Sequence, residues 1–178
     1  LTYKDNICAL DAKSLNIMDP AITQGQDLAL GQSSFADTIY DLKIKGDFAY
    51  LTQYNWSAGL KIVDISNPSD PQDISSLDVD YGRGLDIQGD YAFVGNNYDN
   101  LFIIDISYPE NPEKISQIDV NGDPYGIKVK GDYAYLGTRS NDQFKIIDIS
   151  DKLNPSSIGT LSLPNEGEDV DISADGQY

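Results

Sequence analysis

The chain has no histidine and one cysteine, Cys8, among its 178 residues. Without histidine it lacks the usual general base and the commonest transition-metal ligand, so most hydrolase schemes are hard to write. One cysteine excludes an internal disulfide, and its neighbours Ile7 and Ala9 suggest an ordinary strand position. No apolar run approaches the roughly 20 residues that span a bilayer, and the amino terminus lacks the basic and apolar regions of a signal peptide. Direct membrane insertion is not expected, and any export signal would already have been removed. Positive charge is also scarce: 12 Lys and Arg stand against 29 Asp and Glu, a net −17. So acidic a chain is repelled by phosphate backbones, and no nucleic-acid partner is expected. Sustained helical spacing, phosphate-binding glycine loops, nucleophile elbows and cysteine metal motifs are all missing, and Gly82-Arg83-Gly84 is too short to cradle a phosphate.

What is present is repetition. With 40% hydrophobic residues the chain can bury a core as one domain, residues 1–178. Lys45-Gly46-Asp47-Phe48-Ala49-Tyr50-Leu51 returns as Gln88-Gly89-Asp90-Tyr91-Ala92-Phe93-Val94 and as Lys130-Gly131-Asp132-Tyr133-Ala134-Tyr135-Leu136. Asp175-Gly176-Gln177-Tyr178 opens a weaker fourth copy. The period is roughly 40 residues, dividing the chain near 1–37, 38–80, 81–122 and 123–165, with 166–178 beginning again. A second motif follows each glycine: Leu60-Lys61-Ile62-Val63-Asp64-Ile65-Ser66, Leu101-Phe102-Ile103-Ile104-Asp105-Ile106-Ser107 and Phe144-Lys145-Ile146-Ile147-Asp148-Ile149-Ser150, with Ile7 to Ala12 as a degenerate copy. These runs are apolar on both faces and β-branched, as expected of strands buried between two sheets. The aspartates that end them are read as side-chain acceptors for turn amides.

In the second full copy, Gly84 to Gln88 and Tyr91 to Gly95 make a hairpin across Gly89-Asp90. Leu101 to Ser107 is the third strand and Glu113 to Val120 a more polar fourth. Four locally joined strands per period are the pattern of a β-propeller blade, so the fold class is all-β, with four antiparallel strands per blade. Leu60-Lys61-Ile62-Val63-Asp64-Ile65-Ser66-Asn67-Pro68, after Gly46-Asp47-Phe48-Ala49-Tyr50-Leu51, resembles the LVIVD repeat of bacterial and archaeal surface proteins, and the resemblance covers nearly the whole chain. It implies a secreted or cell-surface β-propeller and no single defined activity. The first copy departs most, since Cys8 and Ala9 replace bulky residues.

The ends are unusual. Leu1-Thr2-Tyr3 matches Leu51-Thr52-Gln53, and Gly176-Gln177-Tyr178 matches the opening of the same strand. Two arrangements follow: a segment of a larger propeller, or a closed ring of four blades in which residues 169–178 supply an inner strand missing from the first.

Loops on one propeller face gather around the axis and present variable side chains. They hold the candidate ligand residues Tyr54, Trp56, Tyr81, Arg83, Tyr98, Tyr125 and Arg139, where aromatic faces beside Asn, Asp and Arg suit a protein or a glycan. The alternative role for these aromatics is to cap the space between blades, and Tyr50, Tyr91, Tyr133 and Tyr135 are assigned to packing. Asp119, Asn121 and Asp123 alternate oxygen side chains like the start of a calcium loop, but Pro124 stands where glycine is needed and no glutamate follows, so the EF-hand motif fails and no cofactor is expected, with Ca2+ on these oxygens as the alternative. Glu166, Glu168, Asp169 and Asp171 form a second acidic group. The leading expectation is a noncatalytic binding or scaffold module at the cell surface, with self-association as one version of it. The alternative is a propeller enzyme of lyase, lactonase or glycosidase type, using Asp37, Asp169 and Glu168 as channel carboxylates.

Overall fold

A computed structural model describes residues 2–3, 6–19, 29–141 and 143–173, and every regular element among them is a strand. The first sheet holds β1 (Thr2–Tyr3), β2 (Asn6–Leu10), β3 (Ser14–Met18) and β4 (Ala29–Ser34). The second holds β5 (Ile39–Lys45), β6 (Phe48–Gln53), β7 (Leu60–Asp64) and β8 (Gln72–Leu77). The third holds β9 (Gly82–Gln88), β10 (Tyr91–Asn96), β11 (Asn100–Asp105) and β12 (Glu113–Asp119), and the fourth β13 (Pro124–Lys130), β14 (Tyr133–Thr138), β15 (Gln143–Asp148) and β16 (Ser156–Ser162). Each sheet is an antiparallel meander in chain order.

The repeated sequence accounts for the repeated geometry. Gly46, Gly89 and Gly131 open the tight hairpin between first and second strands with φ of 57°, 58° and 62°, a conformation that glycine adopts without Cβ strain. The doubly apolar third strands lie between sheets. Leu60 and Ile62 of β7 pack toward the third sheet, while Val63 and the following Ile65 pack toward the first. Three seams result, and Leu51, Ile62 and Ile103 are wholly buried in the first, second and third of them respectively. Beyond each third strand, Asp64, Asp105 and Asp148 accept the amides of Ser66, Ser107 and Ser150 at 2.7, 2.8 and 2.9 Å, as the turn reading requires.

One register slip recurs in all four sheets. The third strand bulges against the fourth at Ile62/Val63, Ile103/Ile104 and Ile146/Ile147, and in the first sheet at Ile17/Met18. This corrects the alignment of the first repeat. Its counterpart of the Leu60 to Asp64 strand is Ser14–Met18, and Ile7 to Leu10 belongs to the second strand. Thr2–Tyr3 is then the first strand, paired with β2, and not the end of a second one. The first sheet therefore has its inner strand already, so residues 169–178 are not needed to complete it.

The four sheets do not close on one another, in contrast to the four-bladed ring considered above. Residues 167–173 instead run beside β13, where Lys130 Nζ donates to the Ser173 carbonyl at 3.3 Å and Lys128 meets Asp171 at 3.7 Å. Residues 174–178, with the weak fourth glycine motif, lie outside the described residues. Innermost strands of neighbouring sheets approach closely, β5 to β9 and β9 to β13. A Cβ on Gly84 would stand 2.3 Å from the Tyr125 carbonyl oxygen, so this approach needs glycine. On the far face of the fourth sheet Tyr135, Phe144 and Ile146 are only half-buried, and Ile158 and Leu161 are 55% and 61% exposed.

Candidate functional site

The innermost strands slip register a second time, near their starts. The slips fall at Ile39/Asp41 in β5, opposite Val94/Asn96 in β9 and at Pro124/Gly126 in β13. A bulge re-aims the side chain at the slip, and bulges favour rims and binding sites. The residues at these places are Tyr40, Arg83 and Tyr125, and the matching position after the fourth sheet is Glu168. One repeat position thus supplies tyrosine, arginine, tyrosine and glutamate around the mouth of the axial channel.

Arg83 sits at the centre and is 7% exposed. Its guanidinium carbon lies 4.0 Å from the Tyr40 ring centroid and 4.7 Å from those of Tyr54 and Tyr125. Such contacts stabilise a desolvated cation by roughly 2 kcal/mol. Its Nε and Nη2 donate to Asn97 Oδ1 at 3.3 and 3.0 Å. That acceptor is neutral, and among the described residues Arg83 forms no ion pair. A second guanidinium, Arg139, lies 5.1 Å from the Tyr125 centroid. Arg139 donates to Tyr125 Oη at 3.3 Å and to Glu166 at 2.6 Å, and both contacts hold its proton more tightly than usual.

From this cage a row of rings runs outward. Tyr40 meets Tyr54 edge-on at 6.0 Å, Tyr54 meets Tyr81 at 4.6 Å, and Tyr81 meets Tyr98 at 5.8 Å. Tyr40, Tyr54 and Tyr98 are 44%, 42% and 55% exposed. The loops beneath are held by local bonds. The Tyr81 amide donates to the Asn55 carbonyl, and Asn96 Oδ1 accepts the amides of Tyr98 and Asn100, each at 3.0 Å. Asp80, Tyr81, Asp99 and Asn121 all have positive φ, at 48°, 59°, 64° and 50°. Left-handed backbone at non-glycine residues costs on the order of 1 kcal/mol each, and it collects at ligand clamps.

The sequence reading placed Tyr54, Tyr81, Arg83, Tyr98, Tyr125 and Arg139 at this face, and the structure brings them into one cluster. Trp56 stands apart, 67% exposed and in none of the ring contacts. Two participants were missed. Tyr40 shares the repeat position of Arg83 and Tyr125, which was the available signal, and Asn97 orients the guanidinium. Of the tyrosines assigned to packing, Tyr50 is wholly buried but Tyr133 is 40% exposed.

The acids are dispersed. Asp119 Oδ1 accepts the Asn121 amide at 2.7 Å, and Asn121 receives the Asn141 side-chain amide on both its carbonyl and its Oδ1. Asp123, half-buried, is pushed above the usual carboxylate range by desolvation and then by the charge of Asp99. Among the described residues no three His, Cys, Asp or Glu groups converge on a metal position. Asp37 accepts from the Asn55 side chain, whereas Glu168 and Asp169 are exposed. The mouth leads into a cavity of about 380 Å³ lined by Tyr40, Asp41, Arg83, Tyr125, Glu168 and Asp169.

Four-stranded meanders, stacked face to face with their first strands along one axis, define this as a β-propeller protein. The LVIVD repeat matches residues 39–79, 81–120 and 121–162, and the chain belongs to the LVIVD repeat family. No curated protein matches it. Among solved structures it is similar to a functionally unknown protein from Desulfotomaculum acetoxidans, with a TM-score of 0.75, 12% identity, 96% of this chain covered and 56% of that one. A candidate 6-phosphogluconolactonase from Bacteroides uniformis aligns with a TM-score of 0.76 at 14% identity, over 92% of this chain and 53% of that one. The β-propeller domain of Cps50 (Swd1) from Myceliophteria thermophila aligns with a TM-score of 0.65 at 12% identity, over 88% and 54%. At these identities the likeness is one of fold, and the chain spans about half the length of each.

Proposed function

We propose that the chain is a noncatalytic binding module of a cell-surface or secreted protein, engaging a protein or glycan partner through the mouth and loops of this face. The observation behind this reading is the continuous line of tyrosine rings, exposed at Tyr40, Tyr54 and Tyr98, that ends on the ring-caged Arg83. Aromatic rings and arginine dominate the energetics of recognition surfaces because they remove large areas from water and keep directional contacts. The backbone strain lies in the same loops.

Amide hydrogen-exchange footprinting with protein and polysaccharide fractions of the surrounding cell surface tests it. Protection is expected in the segments 53–57, 80–83, 96–100 and 121–125. Protection confined to β16, on the far side of the fourth sheet, would defeat it.

Catalysis remains a second reading because one carboxyl, Asp123, is raised by burial beside Asp99. A general acid requires this kind of shift. Lactone or glycoside hydrolysis that is abolished in Asp123→Asn would favour that reading. We expect no turnover from either form.

A further inference from the structure

The mouth mixes charges in a way that selects among ligands. Arg83, nearly buried in its lining, has the neutral Asn97 oxygen as its side-chain acceptor among the described residues. Glu168 and Asp169, in the same lining, are exposed. Asp41 is already engaged by Lys43 at 3.1 Å and by the amides of Leu42 and Leu85 at 2.7 and 3.0 Å. Below, the channel alternates Lys43, Asp86, Lys128 and Asp171 at one repeat position, so its deeper wall is balanced within itself.

An anionic ligand drawn to Arg83 meets Glu168 and Asp169 in the same lining and approaches a chain of net charge −17. A cationic ligand drawn to these carboxylates meets the Arg83 guanidinium beside them. A neutral polyol avoids both conflicts. Each hydroxyl donates once and accepts twice, so one hydroxyl of a vicinal pair accepts from Arg83 while its neighbour donates to Glu168 or Asp169. Hydrogen bonds to charged partners are the stronger kind. A peptide anchor would instead require an apolar pocket or charge of a single sign, and this lining offers neither.

We propose that the mouth binds a neutral polysaccharide, with a terminal sugar in the cavity beside Arg83 and Glu168 and the next units laid on Tyr54, Tyr81 and Tyr98. The aliphatic face of a sugar ring packs against an aromatic ring, and the row extends from the cavity over three centroid steps of 6.0, 4.6 and 5.8 Å with successive planes turned by 67°, 39° and 63°, so each sugar unit meets its own ring as a twisted chain does. The volume of about 380 Å³ falls within the range of small-ligand clefts. This proposal rests on the loop-face reading above and narrows it to one ligand class.

Titration calorimetry on the full chain, with neutral gluco-, manno- and galacto-oligosaccharides, oligogalacturonates, and short acidic and basic peptides as probes, separates the outcomes. At least one neutral oligosaccharide is expected to bind with an affinity nearly independent of salt and above that of a uronate oligomer of equal length. Tyr54→Ala and Glu168→Gln, both at exposed side chains, are each expected to weaken it about tenfold. Circular dichroism and thermal unfolding of both variants confirm that the fold is retained. Tighter binding of the uronate, or loss of neither increment, overturns the sugar assignment. A peptide bound in place of every sugar, still sensitive to Tyr54→Ala, overturns it while leaving the loop-face reading intact. Absence of binding by all probes overturns it too, and the footprinting experiment then decides whether the face has any partner.

Discussion

Two regions of the repeat are built by opposite rules. At the seams, each period places the same kind of side chain at the same point, Leu60 and Leu101 at one level and Ile62 and Ile103 at the next, and Phe144 and Ile146 repeat the pattern on the far face of the fourth sheet. At the mouth, one position carries Tyr40, Arg83, Tyr125 and Glu168. A seam position must fill the space between two sheets of fixed spacing, which admits only apolar groups of similar volume. A mouth position faces the axis, where its neighbours are other mouth positions and solvent. The repeat thus holds the sheets together with constant residues and leaves one position per blade free for chemistry.

The largest effect we predict tests the seam. Ile103 is wholly buried between the third and fourth sheets, while Ile146, its counterpart one repeat on, is half-buried on the far face of the fourth. Ile103→Ala should cost about 3 kcal/mol in denaturant unfolding and Ile146→Ala about 1 kcal/mol. Equal costs would mean that the far face of the fourth sheet is covered as fully as a seam.

This contrast explains what was legible in the sequence. The period, the strand order and the turn aspartates were readable because seam packing and hairpin geometry repeat residue types. The first repeat was misaligned because Leu15-Asn16-Ile17-Met18 carries too few β-branched residues to stand out, and only the shared bulge at Ile17/Met18 reveals its register. Most of the site residues were found as loop aromatics. Tyr40 was missed because it stands inside β5, at a bulge that is invisible to simple alternation. The burial of Arg83 was missed because arginine is ordinarily a surface residue.

A second, smaller effect distinguishes buried tyrosine from mouth tyrosine. Tyr50 is 1% exposed in the seam between the second and third sheets, and desolvation, with the charges of Asp90 and Glu110, pushes its phenol up to about 12. The unfolded chain releases this proton near 10, the folded chain near 12, so stability is full below pH 10 and falls as pH rises from 10 to 12. The loss from this group is roughly 2–3 kcal/mol. Tyr50→Phe should flatten that part of the pH–stability curve, and an unchanged slope would show that Tyr50 ionises as freely in the fold as outside it.

Smaller still is the contribution of a turn acid. Asp105 accepts from the Ser107 side chain and amide, and these bonds hold its carboxyl below the usual range. The stability it adds is present above its unfolded value near 4 and is lost as pH falls through the lower folded value. Asp105→Ala should cost about 1 kcal/mol at pH 7. The difference from the parent should narrow in acid, and a gap that persists at pH 2 would assign the cost to lost packing.

The smallest change in stability is expected at a residue that acts in recognition alone. Tyr98 is 55% exposed and touches the row only through Tyr81, so Tyr98→Ala should alter unfolding by less than about 0.5 kcal/mol. Its affinity for a neutral oligosaccharide long enough to reach the outer ring should still fall several-fold, whereas a disaccharide confined to the cavity should bind as before. Trp56 supplies the comparison, being more exposed at 67% but outside the ring row. Trp56→Ala should leave the affinity for both sugars nearly unchanged. If it weakened binding more than Tyr98→Ala, recognition would follow exposed aromatic area anywhere on the face. If the predicted order holds, recognition follows the line of rings that runs outward from Arg83.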